Sequence, residues 1–228
     1  MSRDAAGIMA EAAAKYPALL LCAASGGSPT RAYGLFAADK ARGAALRVMK
    51  LDEWAGLGAA DEASCESYLR RHLTGPLAIP EARYLSFDAT AADLSAECER
   101  VEKRLDAEGP IDLLILGVGV NGHLGLNEPA EALTAECHVA ALADSSKAHA
   151  MLEGRTSVPT EGLTLGMAGI LQARHILVLV AGAHKRKVMQ HFLQRNVTSA
   201  LPVSFLWLHS NVDFLTDGEA MAGLEASR

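Results

Sequence analysis

Apolar residues along this chain cluster in runs of strand length. They cover residues 18–24 (ALLLCAA), 46–51 (LRVMKL), 83–87 (RYLSF), 112–118 (DLLILGV), 175–181 (HILVLVA) and 203–208 (VSFLWL). Such near-continuous hydrophobicity predicts strands buried on both faces, as in a parallel sheet covered by helices. Between the runs, helical periodicity appears over residues 3–15, 29–40, 63–73, 91–107, 163–173 and 184–194. Alternating β and α patterns with short connections predict an α/β fold: a doubly wound, mostly parallel Rossmann-like sheet with helices on both faces. No repeat, low-complexity tract or linker divides the sequence, so one domain over residues 1–228 is expected. Ligands in such sheets lie beyond the carboxyl ends of the strands, which makes those ends the places to look for chemistry.

The first strand end carries Ser25-Gly26-Gly27-Ser28-Pro29. Glycines let backbone N–H groups approach a ligand closely, Ser28 reads as a helix N-cap, and Pro29 reads as the first helical residue. A glycine-rich turn feeding a helix N-terminus binds anions, although ordinary strand-to-helix turns use the same residues. The second strand end carries Leu51-Asp52-Glu53-Trp54. Its adjacent carboxylates beside an aromatic can supply a general base, or can be solvated acids at a loop exit.

Residues 117–129 (GVGVNGHLGLNEP) are the most informative stretch. Gly117, Gly119 and Gly122 match the spacing of a dinucleotide fingerprint, but Gly125, Asn127 and Pro129 keep the chain in a loop where that motif needs a helix. The loop does present a histidine, His123, together with Asn121 and Glu128, a set suited to proton transfer near neutral pH. Finally, His184, Lys185, Arg186 and Lys187 open the helical pattern after the HILVLVA run. Basic residues oppose the helix dipole there, which makes sense if an anion sits at that end.

Composition narrows these options. A net charge of −6 argues against a nucleic-acid partner, while leaving room for a small phosphorylated ligand. Cys22, Cys65, Cys98 and Cys137 form no C-x-x-C pair and predict reduced thiols. His72, His138, His149, His175, His184, His191 and His209 show no metal-ligand spacing, so neither metal nor other cofactor is expected. No apolar run approaches the ~18 residues of a membrane span. The opening stretch reads as an amphipathic helix rather than a signal peptide, so a cytoplasmic protein without a membrane partner is expected.

Taken together, the motifs resemble the glucosamine-6-phosphate and galactosamine-6-phosphate deaminase/isomerase family, which shares its fold with the 6-phosphogluconolactonases. The resemblance runs from about Leu19 to Phe214. It includes SGGSP, LDEW where the family has LDEY or a close variant, NGHLGLNEP where it has DGHIAFNEP, the LTLGMAGIL segment, and the lysine after VLVAG. The segments CESYL and SFLWLHSN look closest to the galactosamine-6-phosphate branch. The resemblance implies Asp52 as the base at C2, His123 as the ring-opening catalyst and Glu128 as the group that orients it. It also implies Ser25, Gly26, Gly27, Ser28 and Lys185 as the phosphate site, a small amino-sugar phosphate as the partner, and no cofactor. A homo-oligomer is compatible with it.

This chain also departs from the family. Asn121 stands where the glucosamine enzymes carry an aspartate, and His138 and Ala140 stand where allosteric relatives place an arginine and a lysine. A phosphate-binding arginine is missing near Leu152, with Arg155 as the candidate substitute. Two rival readings are a lactonase, whose motif continues after the histidine without the Asn127-Glu128 pair, and a non-catalytic sugar-phosphate sensor.

Overall fold

The computed structural model describes residues 1–16 and 18–224. Its strands are β1 (Leu20–Ala23), β2 (Arg47–Lys50), β3 (Asp52–Trp54), β4 (Tyr84–Leu85), β5 (Leu113–Gly117), β6 (His138–Ala141), β7 (Glu161–Thr164), β8 (Ile176–Val180) and β9 (Val212–Thr216). The helices are α1 (Ser2–Lys15), α2 (Gly27–Ala37), α3 (Cys65–Leu69), α4 (Leu94–Glu108), α5 (Asp144–Lys147), α6 (Met167–Leu171), α7 (Arg186–Phe192) and α8 (Gly218–Met221). The main sheet has six strands in the order β4-β2-β1-β5-β8-β9, every neighbouring pair parallel.

Successive side chains of a strand point to opposite faces, and here both faces are dry. Leu21, Ala23, Leu113, Ile115, Leu177 and Leu179 pack toward Ala5 and Met9 of α1 and Tyr33 and Phe36 of α2. Leu20, Cys22, Leu114, Leu116, Ile176 and Val178 pack toward Val101 of α4, Ile170 of α6 and Met189 of α7. That division is the physical content of the doubly wound arrangement, and it explains why β1, β5 and β8 read as unbroken apolar runs.

The sequence pattern misplaces several elements. Residues 203–208, expected as a strand, belong to a 3₁₀ helix over Pro202–Leu208. Its buried residues include Val203 and Leu206, a three-residue spacing, and Pro202 fits the first helical position. A short apolar run cannot be told from a buried helix by hydrophobicity alone. The sixth strand is instead β9, half-buried at the sheet edge and carrying Asp213, so it lacks the apolar signature of the inner strands. Ser28 is not the N-cap of α2, because Gly26 occupies that position at φ 107° and Pro29 lies inside the first turn.

A second sheet, antiparallel in the order β3-β7-β6, was not expected. Its strands have four residues or fewer, and residues 163 and 164 fall in β7 rather than in the helix expected from 163. This small sheet sits directly after the carboxyl end of β2, where Leu51 links β2 to β3. It pairs Asp52 with Thr164 and packs Trp54 over Cys65, Leu126 and Leu152. Among the described residues, no helix is long and apolar enough to cross a membrane.

Candidate active site

The loop after β1 turns sharply at Gly26, whose positive φ is a conformation that glycine alone adopts freely. Its carbonyl accepts from Thr30 Oγ1 at 2.9 Å and from Tyr68 Oη at 2.8 Å, while Ser25 Oγ donates to Cys65 Sγ at 3.0 Å. These contacts fix the loop from the side of α3. The amides at the start of α2 remain at a helix N-terminus, with its partial positive charge.

Asp52 opens β3, and Glu53 follows on the opposite face. Glu53 is 1% exposed and accepts from Lys50 Nζ, Trp54 N, Cys65 N and Glu66 N at 2.7–2.9 Å. Lys50, equally buried, also donates to Glu66 at 2.9 Å and to the Phe87 carbonyl at 3.0 Å. Asp52 has a different environment. Burial raises its pKa to about 6, with the charge on Glu53 adding to the rise and His123, Lys50 and the Cys65 thiol opposing it. A carboxyl poised there is ionised at neutral pH and basic enough to take a proton.

The loop after β5 brings the histidine to this carboxylate. It passes β3 at Gly125, where a methyl group would stand 3.7 Å from Asp52 Oδ2. Leu126 N donates to Thr164 Oγ1 at 3.0 Å, and Asn127 Nδ2 reaches the carbonyls of Leu124 and Leu165 at 2.8 and 2.9 Å. The His123 ring lies over Gly119, where a methyl group would fall about 2.4 Å from ring atoms, so no larger residue fits. Asn127 is therefore a loop clasp.

His123 Nδ1 lies 3.2 Å from Glu128 Oε2 and 3.2 Å from Ser146 Oγ. Asn121 ties the same group together: its Nδ2 donates to Glu128 Oε2 at 2.8 Å, and its Oδ1 accepts from His123 N at 3.2 Å. Ser146 Oγ and Ala143 N donate to the other carboxylate oxygen. Burial works to raise the pKa of Glu128, but hydrogen bonds from His123, Ser146 and Asn121 hold it at about 2. An ionised Glu128 accepts a hydrogen bond from Nδ1–H and leaves Nε2 free to exchange a proton with a substrate.

Residues 2–214 match the model of the glucosamine-6-phosphate isomerases/6-phosphogluconolactonase family. The chain belongs to this family. A protein of Escherichia coli (strain K12), provisionally named deaminase AgaI, is 39% identical over 86% of this chain and 79% of its own length. The glucosamine-6-phosphate deaminase of Bacillus pumilus (strain SAFR-032) is 34% identical over 96% of this chain and 94% of its own. Among solved structures, a monomeric glucosamine-6-phosphate deaminase superposes with a TM-score of 0.92 at 32% identity, covering 97% of this chain and 94% of that one.

The structure links His123, Glu128 and Asn121 by direct contacts, and brings the loop that carries them past Asp52 at Gly125. The ring of His149 faces Gly26 of the loop after β1, and the charge of Lys185 works against protonation of that ring. Lys185 is partly buried in the 3₁₀ turn before α7 and has no hydrogen-bond or ion-pair partner among the described residues; burial lowers its pKa. Arg155, the candidate substitute for the missing arginine, places Nη1 against both carboxylate oxygens of Asp61 at 2.8 and 2.9 Å.

Cys65, Ser146 and His149 carry no local sequence signal of a place in the cleft. Cys65 begins α3 in a stretch whose pattern announces only a helix. Ser146 lies 23 residues from the ring it touches, and nothing local marks it. His149 was one histidine among several without ligand spacing. Its ring packs on Trp54 at 5.7 Å between centroids.

Proposed function

We propose that this chain, acting as one sugar-phosphate domain over residues 1–228, isomerises and deaminates a 2-amino-2-deoxyhexose 6-phosphate, with galactosamine 6-phosphate as substrate. The products are tagatose 6-phosphate and ammonia. The single observation that carries this reading is the meeting of two unlike proton carriers. Asp52 is poised at about 6 beside the loop after β5, and that loop carries a histidine whose Nδ1 is tied to an ionised Glu128.

In this mechanism the phosphate rests on the amides of Gly26 and Gly27, the hydroxyls of Ser25 and Ser28, and Lys185. His123 Nε2 carries the anomeric hydroxyl proton to the ring oxygen, which opens the ring and exposes the aldehyde. The aldehyde acidifies the C2 proton, and Asp52 removes it to give the enolamine. A proton returned to C1 yields the ketose imine, and one water hydrolyses it to the ketone and ammonia. General acid–base steps of this kind each contribute ~10²–10⁴-fold, and anchoring the phosphate adds positioning.

Galactosamine rather than glucosamine 6-phosphate is favoured by the segments CESYL and SFLWLHSN, which resemble the galactosamine branch. The reading requires no cofactor and no second copy of the chain, since every group named comes from one protomer. It places the enzyme in the cytoplasm, with the phosphorylated sugars. Ammonia release from galactosamine 6-phosphate and glucosamine 6-phosphate, measured beside hydrolysis of 6-phosphogluconolactone, tests it. Faster turnover of the galacto sugar is expected. Preference for the gluco sugar would reassign the substrate, lactone hydrolysis without ammonia would reassign the reaction, and tight binding without turnover of any of them would make the chain a sensor.

A further inference from the structure

His149 precedes the short turn Ala150–Leu152, and its Nδ1 accepts from Met151 N at 3.2 Å. A neutral imidazole that accepts at Nδ1 carries its hydrogen on Nε2. That nitrogen faces the glycine loop: a methyl group on Gly26 would lie 3.6 Å from Nε2 and 3.7 Å from Cε1. The Trp54 indole, tilted at 47°, backs the ring. Among the described residues Nε2 has no hydrogen-bond partner, although it faces Gly26 of the loop. Burial, His123 and Lys185 all keep the ring in its neutral form, consistent with a donor that does not need charge.

We infer that His149 Nε2–H is a hydrogen-bond donor to the substrate phosphate, joining the amides of Gly26 and Gly27 in one anion site. This assignment rests on the phosphorylated-sugar reading above and deepens it. A neutral N–H at this position leaves Lys185 to supply the positive charge.

The test compares the unchanged chain with His149→Phe, which keeps a ring against Trp54 but removes the donor. His149→Gln, whose amide N–H extends about as far as Nε2, restores it. The readouts are KM and kcat for ammonia release, and the affinity for inorganic phosphate measured by calorimetry. In His149→Phe, KM and the dissociation constant for phosphate should both rise about tenfold or more, the effect of one hydrogen bond to a charged group, with kcat within about threefold. His149→Gln should recover most of both. Unchanged phosphate affinity in His149→Phe overturns the assignment, as does a fall confined to kcat, which would place the ring at the reacting carbons. If the unchanged chain releases no ammonia, calorimetry still decides: weaker phosphate binding in His149→Phe supports the donor while the deaminase reading alone falls.

Discussion

Asp52 and Glu53 are adjacent carboxylates on one short strand, yet only one of them is neutralised by its surroundings. Glu53 meets a buried ammonium and three backbone N–H groups, which pin β3 to the start of α3. Asp52, on the other face, borders the cleft with its pKa raised to about 6. A strand separates neighbouring side chains onto opposite faces, so two identical functional groups receive different environments from a single register. The difference teaches that carboxylates are sorted by partners rather than by chemistry. The saturated one holds the backbone rigid, and in the proposed mechanism the undersatisfied one takes the substrate proton.

The sharpest way to break this comparison is Asp52→Asn. If Asp52 is the base, kcat falls by ~10²–10⁴-fold and exchange of the C2 proton with solvent stops, while KM changes little. Stability should move the other way. A folded-state pKa raised above the unfolded value means the folded chain binds that proton more tightly. Its contribution is therefore favourable below pH ~4 and lost as pH rises through about 6. Above that window the neutral asparagine should stabilise the chain by up to about 2 kcal/mol, a value discounted for the partial exposure of Asp52. Thermal unfolding at pH 8 and near pH 4 checks this, the gain appearing only at the higher pH.

Glu53→Ala probes the other half of the pair. It leaves Lys50 facing Glu66 alone in the core and strips the acceptor from Cys65 N and Glu66 N. Removing one partner of a buried ion pair costs about 3–5 kcal/mol, so the urea midpoint should drop sharply. Any protein still folded at low temperature should keep most of its kcat. The opposite pattern, intact stability with kcat abolished, would make Glu53 the base and reverse the comparison.

How these residues were legible from sequence follows from the same contrast. His123 and Glu128 lie in a glycine-rich loop after β5, Asp52 follows directly on the apolar run of β2, and β1, β5 and β8 declare themselves by unbroken apolar runs buried on both faces. What the pattern hides depends on long-range contact. Nothing in Leu-Asp-Glu-Trp says which carboxylate will meet Lys50, because Glu66 and the α3 amides arrive from more than ten residues away. The small antiparallel sheet is too short to show alternation above noise. Edge strand β9 is half-exposed and so lacks an apolar signature, while the apolar 202–208 segment mimics a strand and folds as a 3₁₀ helix.

Lys185 extends the comparison to the cations. Lys50 is buried and fully paired, whereas Lys185 is partly buried and without a partner among the described residues. Burial without a partner makes sense for a side chain awaiting an anion. Lys185→Ala should raise KM for the phosphorylated sugar about tenfold or more, the loss of a charged hydrogen bond, with a smaller effect on kcat. An unchanged KM would return Lys185 to the solvated surface.

The smallest expected effect is the most discriminating for the histidine side of the cleft. Asn121 is neutral where the glucosamine enzymes carry an acid, and its amide donates to Glu128 Oε2 at 2.8 Å while its carbonyl oxygen receives His123 N. Asn121→Asp preserves the second contact but replaces the first by two carboxylates at hydrogen-bonding distance. Like charges that close do not both stay ionised, so the pair takes up a proton at higher pH than Glu128 does alone, or His123 holds its own proton more firmly. Either route leaves less of the proton-accepting state in mildly acid solution. The acid limb of the kcat/KM profile should therefore move to higher pH by about one unit, with the loop backbone unchanged because aspartate fits the same turn. Titration of the His123 Cε1–H resonance would show whether the proton sits on the ring or between the carboxylates. If kinetic profile and resonance both overlay those of the unchanged chain, residue 121 only shapes the turn, and the orientation of His123 rests on Glu128 and Ser146.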